Sequence, residues 1–202
     1  MNLAFSTKFH NANGLGDFIR IADELRYEGF EIHDIKADAF SGKASPFNPD
    51  MASVTKRTLI NAKKSIACIN VGCNVADEAA ADENMQKIET AVSVSNNLNV
   101  PYIKVFADST QDNAFGFVTE FMAKVIALCE KKNVVVLVET SGIFADTNKL
   151  CDLLNFFASD LYNISLISEL FPEPETPVTQ VITPSGMSTS TFFKLFSSAP
   201  TI

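Results

Sequence analysis

The stretch Asn133-Val-Val-Val-Leu-Val-Glu-Thr-Ser-Gly142 decides the fold. Its apolar, β-branched run is too short for a typical helix and ends in a lone carboxylate, Glu139. A strand buried on both faces of a parallel sheet has this pattern. An acid at the C-terminal end of such a strand stands where parallel α/β folds place their chemistry.

Working outward, strand-like and helix-like segments alternate on both sides of this run. Residues 3–7 read as a first strand. Leu15, Phe18, Ile19, Ala22 and Leu25 follow with the spacing of an amphipathic helix, which Gly29 is expected to stop. Further strands are expected over 30–36, 66–75, 101–107, 134–140 and 164–170. Helices are expected over 53–65, around Met85 to Leu98, around Val118 to Cys129, and from an Asp146 or Thr147 cap through Phe157. The repeat length is that of a βαβ unit, about 30 residues. Beyond residue 170 the pattern stops. Five of the eight prolines, with many Ser and Thr, fall in 171–202, where only 191–197 has the character of a short element.

Composition narrows the function. The hydrophobic share of 47% and charged share of 20% are those of an ordinary globular chain. A net charge of -8 with no basic stripe disfavours nucleic acid and anionic membranes as partners. Cys68, Cys73, Cys129 and Cys151 form no CxxC pair and read as core thiols of a reducing, cytoplasmic compartment. The N-terminus lacks the pattern of a signal peptide, and no apolar run is long enough to span a membrane.

Side chains alternate across a strand. If Glu139 points away from the helices, so do Leu137 and Val135, while Val136 and Val138 face them. On the second strand Glu31 and His33 share the polar face, and on the sixth Glu169 shares a face with Ile167 and Ser165. Glu31, His33, Glu139 and Glu169 would then converge on one axis. Carboxylates and an imidazole gathered there suit a hard divalent cation, or proton abstraction next to a carbonyl. The structural alternative for Glu139 is an ion pair with Lys104, and for Glu169 a solvated loop acid. His33 reads as a hydrogen-bonded inner residue or a substrate contact, His10 as a loop residue, and Asp34 and Asp108 as caps or loop ends.

Phe5-Ser-Thr7, Glu28-Gly-Phe-Glu-Ile-His33, Val100-Pro-Tyr-Ile-Lys-Val105 and Val138-Glu-Thr-Ser-Gly-Ile-Phe-Ala-Asp-Thr147, in this order and spacing, resemble the sugar phosphate isomerase/epimerase family of xylose isomerase-like TIM barrels. The resemblance implies an incomplete (β/α) TIM-type barrel of about six parallel strands over residues 1–170, followed by an irregular tail over 171–202. It implies a Mn²⁺ or Mg²⁺ ion held at the barrel mouth, with Glu139 as ligand and catalytic base and Glu169 near the second ligand position. The family usually has Asp at that second position. His33 and Glu31 would contact the substrate, a ketose or sugar phosphate that is isomerised or epimerised by proton transfer.

The chain departs from the family where strands seven and eight would supply a His and a Glu. Two further expectations follow: an inactive, truncated or frameshifted barrel serving as a non-catalytic interaction module, or an oligomer or partner chain covering the open barrel. Related barrels that cut DNA at apurinic sites carry extra histidines on strands three and four. Here those strands end at Cys73-Asn74 and Ala107-Asp108, which disfavours a nuclease.

Overall fold

The computed structural model describes residues 3–9, 14–42, 44–109, 114–160, 164–165 and 191–192. Five parallel strands form one open sheet: β1 (Ala4–Ser6), β2 (Gly29–His33), β3 (Ser65–Asn74), β4 (Tyr102–Phe106) and β5 (Val135–Val138). Between them run α1 (Leu15–Glu24), α2 (Ala52–Ala62), α3 (Ala81–Leu98) and α4 (Ala114–Glu130), and α5 (Thr147–Asp160) follows β5. The sheet order is β1-β2-β3-β4-β5, the order of the chain itself. A doubly wound sheet reverses its strand order at a switch point; a sheet that never reverses is wound as a barrel is. The expected incomplete TIM-type barrel is therefore the fold, with five strands in its sheet.

The sixth expected strand differs. Only Ile164–Ser165 (β6) is described as strand there, and it pairs in parallel with Thr191–Phe192 (β7) in a separate two-stranded sheet. Glu169 and most of residues 171–202 lie outside the described residues, as does His10.

One face of the sheet is apolar because the helices cover it. Phe30 and Ile32 of β2, Ile69 of β3, Ile103 and Val105 of β4, and Val136 and Val138 of β5 are buried in one continuous core with Ala22, Ile88, Val118 and Met122 from the helices. Aromatic rings fill its β1–β2 end. Phe30 stands 5.9 Å from Phe5 and 6.4 Å from Phe18 between ring centroids, and Phe18 stands 5.4 Å from Phe40. Each fully buried Phe contributes about 2–3 kcal/mol from transfer alone. Leu137 and Cys68 are buried but lie outside this core, as the strand alternation requires of residues on the opposite face.

Helix ends follow one recipe. Arg26, Lys63, Asn99 and Asn133 each adopt φ of 54–58° just after α1, α2, α3 and α4. At α1, Arg26 N–H donates to Asp23 O and Tyr27 N–H to Ala22 O, the paired bonds of a left-handed helix stop. Arg26, not Gly29, therefore ends the first helix, which corrects the sequence expectation. Gly29 instead lets β2 approach β3, because a Cβ at this position would lie 2.5 Å from the carbonyl oxygen of Ser65. At the far end, Asp146 caps α5 as expected, its carboxylate accepting the Asn148 N–H at 2.9 Å.

A left-handed conformation costs a non-glycine residue roughly 1–2 kcal/mol, partly offset because glycine loosens the unfolded chain. Arg26 and Lys63 are exposed. Replacing either by glycine is expected to stabilise the protein by about 0.5–1 kcal/mol, read as a higher urea midpoint at unchanged slope.

Candidate functional site

The face of the sheet turned away from the helices carries the polar side chains. Register sets them in layers, as in a barrel interior. Ser6, Glu31 and Cys68 align across β1, β2 and β3. His33, Asn70, Lys104 and Leu137 align across β2 to β5. Glu139 stands two residues beyond Leu137, just past β5, where its N–H donates to Val105 O at 3.0 Å.

Lys104 joins the layers. Its Nζ lies 3.0 Å from Glu31 Oε2 and 3.8 Å from Glu139 Oε2. Ser6 Oγ donates to the other oxygen of Glu31 at 3.0 Å. The three charged side chains are 19% (Lys104), 21% (Glu31) and 34% (Glu139) exposed, so Glu139 is the one most open to a ligand. Glu31, His33 and Glu139 thus lie on the same face, as expected. Lys104, expected to partner Glu139 alone, sits closer to Glu31. Ser6 lies in the Phe5-Ser-Thr7 stretch, but its bond to Glu31 is not legible there, because a lone Ser on a three-residue strand does not indicate its partner.

His33 donates its backbone N–H to Thr7 Oγ1 at 2.8 Å, which ties β2 to the turn after β1. Its side-chain Nδ1 is buried without a hydrogen-bond partner. Burial lowers the His33 pKa, and the nearby Lys8 charge adds to this against the carboxylates of Glu31 and Asp34. A base whose pKa is lower in the fold than in the unfolded chain favours folding while it is neutral. That share of stability is present above about pH 6.5, the unfolded value, and is lost as pH falls through it towards the folded value. His33→Gln is expected to weaken the fall in stability between about pH 7.5 and 5, as measured by urea unfolding at both values. An unchanged pH dependence would contradict this placement of the ring.

The thiol of Cys68 is pushed up to about 12 by burial, with the Glu31 charge adding to it, which leaves the group protonated and unreactive. Cys73 and Cys129 are buried as well, but Cys151 is exposed on α5. The expectation of four core thiols is corrected for Cys151: it falls on the outer side of the α5 stripe formed by Leu150, Leu153, Leu154 and Phe157. All four cysteines are free.

Asp34 and Asp108 stand just past β2 and β4, in line with the loop ends expected of them. Asp34 accepts the Lys36 N–H at 2.9 Å. Asp108 is bound reciprocally by Asn74: its N–H donates to Asn74 Oδ1 and its carbonyl accepts from Asn74 Nδ2, both at 2.8 Å. Among the described residues, no group of three or more His, Cys, Asp or Glu side chains could hold a metal ion. Glu139 and Glu31 already face a fixed ammonium, which competes for the same oxygens. The described residues therefore do not fit the divalent ion that the resemblance implies. Glu169, the other expected ligand, lies outside the described residues.

The face turned away from the helices is polar, and the parallel sheet that carries it never reverses its strand order. Several solved structures share this fold. A xylose isomerase domain protein from Planctomyces limnophilus aligns with TM-score 0.58 and 9% identity, over 76% of this chain and 58% of that one. A xylose isomerase-like TIM barrel protein from Mycobacterium smegmatis, in complex with magnesium, aligns with TM-score 0.58 and 8% identity, over 78% and 61%. An AP endonuclease, family 2, from Brucella melitensis aligns with TM-score 0.53 and 15% identity, over 75% and 64%. The chain thus spans about three-fifths of the length of these structures. At such identities the likeness is one of fold. No protein-family model and no curated protein matches the sequence.

Proposed function

We infer that the chain belongs to a sugar isomerase or epimerase and that Glu139 moves the proton. The observation that carries this reading is the position of Glu139: a carboxylate just past the C-terminal end of β5, beside a fixed ammonium and more exposed than either charged neighbour. A base must be ionised and reachable by the carbon acid it deprotonates. The substrate is an open-chain ketose, aldose or sugar phosphate, with Glu31 and His33 as contacts on the same face. The xylose isomerase-like structures of the same fold support the reaction class. The four free cysteines support a reducing, cytoplasmic setting, and no helix among the described residues is long and apolar enough to cross a membrane.

Interconversion of aldose–ketose pairs and of C3-epimeric ketoses, with and without phosphate and followed by chromatography, tests this reading. Conversion of one pair by the wild-type protein, absent from Glu139→Gln, is the expected result. Conversion that survives Glu139→Gln would remove Glu139 from the mechanism.

A second reading is a non-catalytic interaction module. The Ser6–Glu31–Lys104 network favours it, since both oxygens of Glu31 are already engaged within the chain. This reading predicts no conversion of any sugar. It also predicts a partner or second copy along β5, whose outer edge pairs with no strand among the described residues. Chromatographic size with hydrogen exchange at β5 reads that partner directly.

A further inference from the structure

Lys104 is the cation at the centre of the inner face, and its bonding is incomplete. An ammonium has three N–H donors. Glu31 takes one at 3.0 Å, while Glu139 at 3.8 Å lies beyond hydrogen-bond length. At least one proton therefore has no acceptor among the described residues. The ammonium is nonetheless held in place, because Glu31 is itself fixed by Ser6.

We propose that Lys104 binds the substrate's carbonyl oxygen and stabilises the charge that develops on it, in the role of an oxyanion-binding group. This rests on Glu139 as the base. Glu139 takes the proton from the hydroxyl-bearing carbon next to the carbonyl. The C–H electron pair becomes the C=C bond of an enediolate, and the carbonyl π pair moves onto the oxygen beside Lys104 Nζ. Return of the proton from Glu139 to the neighbouring carbon, with the hydroxyl proton passing between the two oxygens, gives the isomer. The negative charge that leaves Glu139 reappears on an oxygen beside the same ammonium, so the charge of the pocket does not change during the step. A fixed group aimed at developing charge stabilises a transition state without reorganising. The ligand class is an α-hydroxy carbonyl compound in its open form. Asn70, buried in the same layer as Lys104, accepts the Gly72 N–H on its Oδ1 at 3.0 Å and can offer only a neutral amide donor, so Lys104 is the charged donor of that layer.

The decisive experiment uses dihydroxyacetone in D₂O with protein dialysed against EDTA, and deuterium uptake read by proton NMR. Wild-type protein should exchange the carbon-bound protons. Lys104→Met should slow exchange roughly 100-fold, with partial recovery in Lys104→Arg. Glycolohydroxamate, a neutral acid whose conjugate base resembles the enediolate, gives a readout independent of turnover. Its affinity should fall about tenfold or more in Lys104→Met and be retained in Lys104→Arg. Lys104→Met leaves two carboxylates without their cation, so Glu31→Gln/Lys104→Met is the second variant, with thermal unfolding confirming that both fold. Exchange or hydroxamate binding by Lys104→Met at the wild-type level would overturn the proposal. So would exchange lost on chelation and restored by Mn²⁺. Lys104-dependent hydroxamate binding with no exchange by any variant would uphold the anion site and overturn the isomerase reading.

Discussion

Gly142→Ala is expected to destabilise the protein by roughly 2–5 kcal/mol, the sum of a left-handed residue that loses its glycine and an overpacked contact. Gly142 has φ of 57°, and a Cβ there would run into the carbonyl oxygen of Ala107 and come within 2.9 Å of Asp108 Cα. Neither obstacle is a flexible side chain. The close approach has a purpose, because Ile143 N–H donates to Ala107 O at 2.9 Å and pins the loop after Glu139 to the end of β4. A side chain at 142 pushes that loop off β4, and Glu139 moves with it. For a chain of this size the melting temperature should fall by roughly 10 °C, and any activity should fall further than stability explains. A melting temperature within a degree or two of wild type would show that the loop does not sit on β4.

Glu139→Gln is expected to lower the rate of proton transfer by roughly 10²–10⁴ while leaving the fold intact. Gln keeps the shape and the hydrogen-bonding reach of the side chain but removes the charge and the basic oxygen. Its stability cost is small, because Lys104 keeps the nearer Glu31 as its partner and Glu139 is the most exposed of the three. A loss of rate with an unchanged melting curve separates a chemical role from a structural one. A variant that unfolds instead would make Glu139 a structural residue.

Much of the fold is legible in the sequence because parallel sheets leave strong marks. The run from Val134 to Val138 is apolar on both faces, and the alternation on β2 separates Phe30 and Ile32 from Glu31 and His33. Period-2 geometry then places Glu139 on the inner face without further information. Helix stops are less legible. Arg26 and Lys63 adopt a conformation that glycine usually supplies, and the glycine that is present, Gly29, serves strand approach instead.

The pairing of Lys104 with Glu31 is also hidden, because it spans two strand pairings. Between β2 and β3 the register slips by one residue: Phe30 pairs with Ile66, but Glu31 pairs with Cys68. A second irregularity between β3 and β4 lies between Asn70 and Asn74, where Gly72 adopts φ of 70°. Bulges of this kind are set by the strand partner and by local twist, not by the hydrophobic pattern of either strand. The reach from Lys104 on β4 to Glu31 on β2 is fixed only once both slips are known.

Glu31, Lys104 and Glu139 form one charge cluster on the inner face of a barrel-type sheet. A double-mutant cycle tests it most directly, with Glu31→Gln, Lys104→Met and the double variant unfolded in urea. The two losses should not be additive, with a coupling of about 1 kcal/mol or more at low salt that shrinks as salt is added. Additive losses, within about 0.3 kcal/mol, would mean that the two side chains do not meet and would contradict the charge cluster.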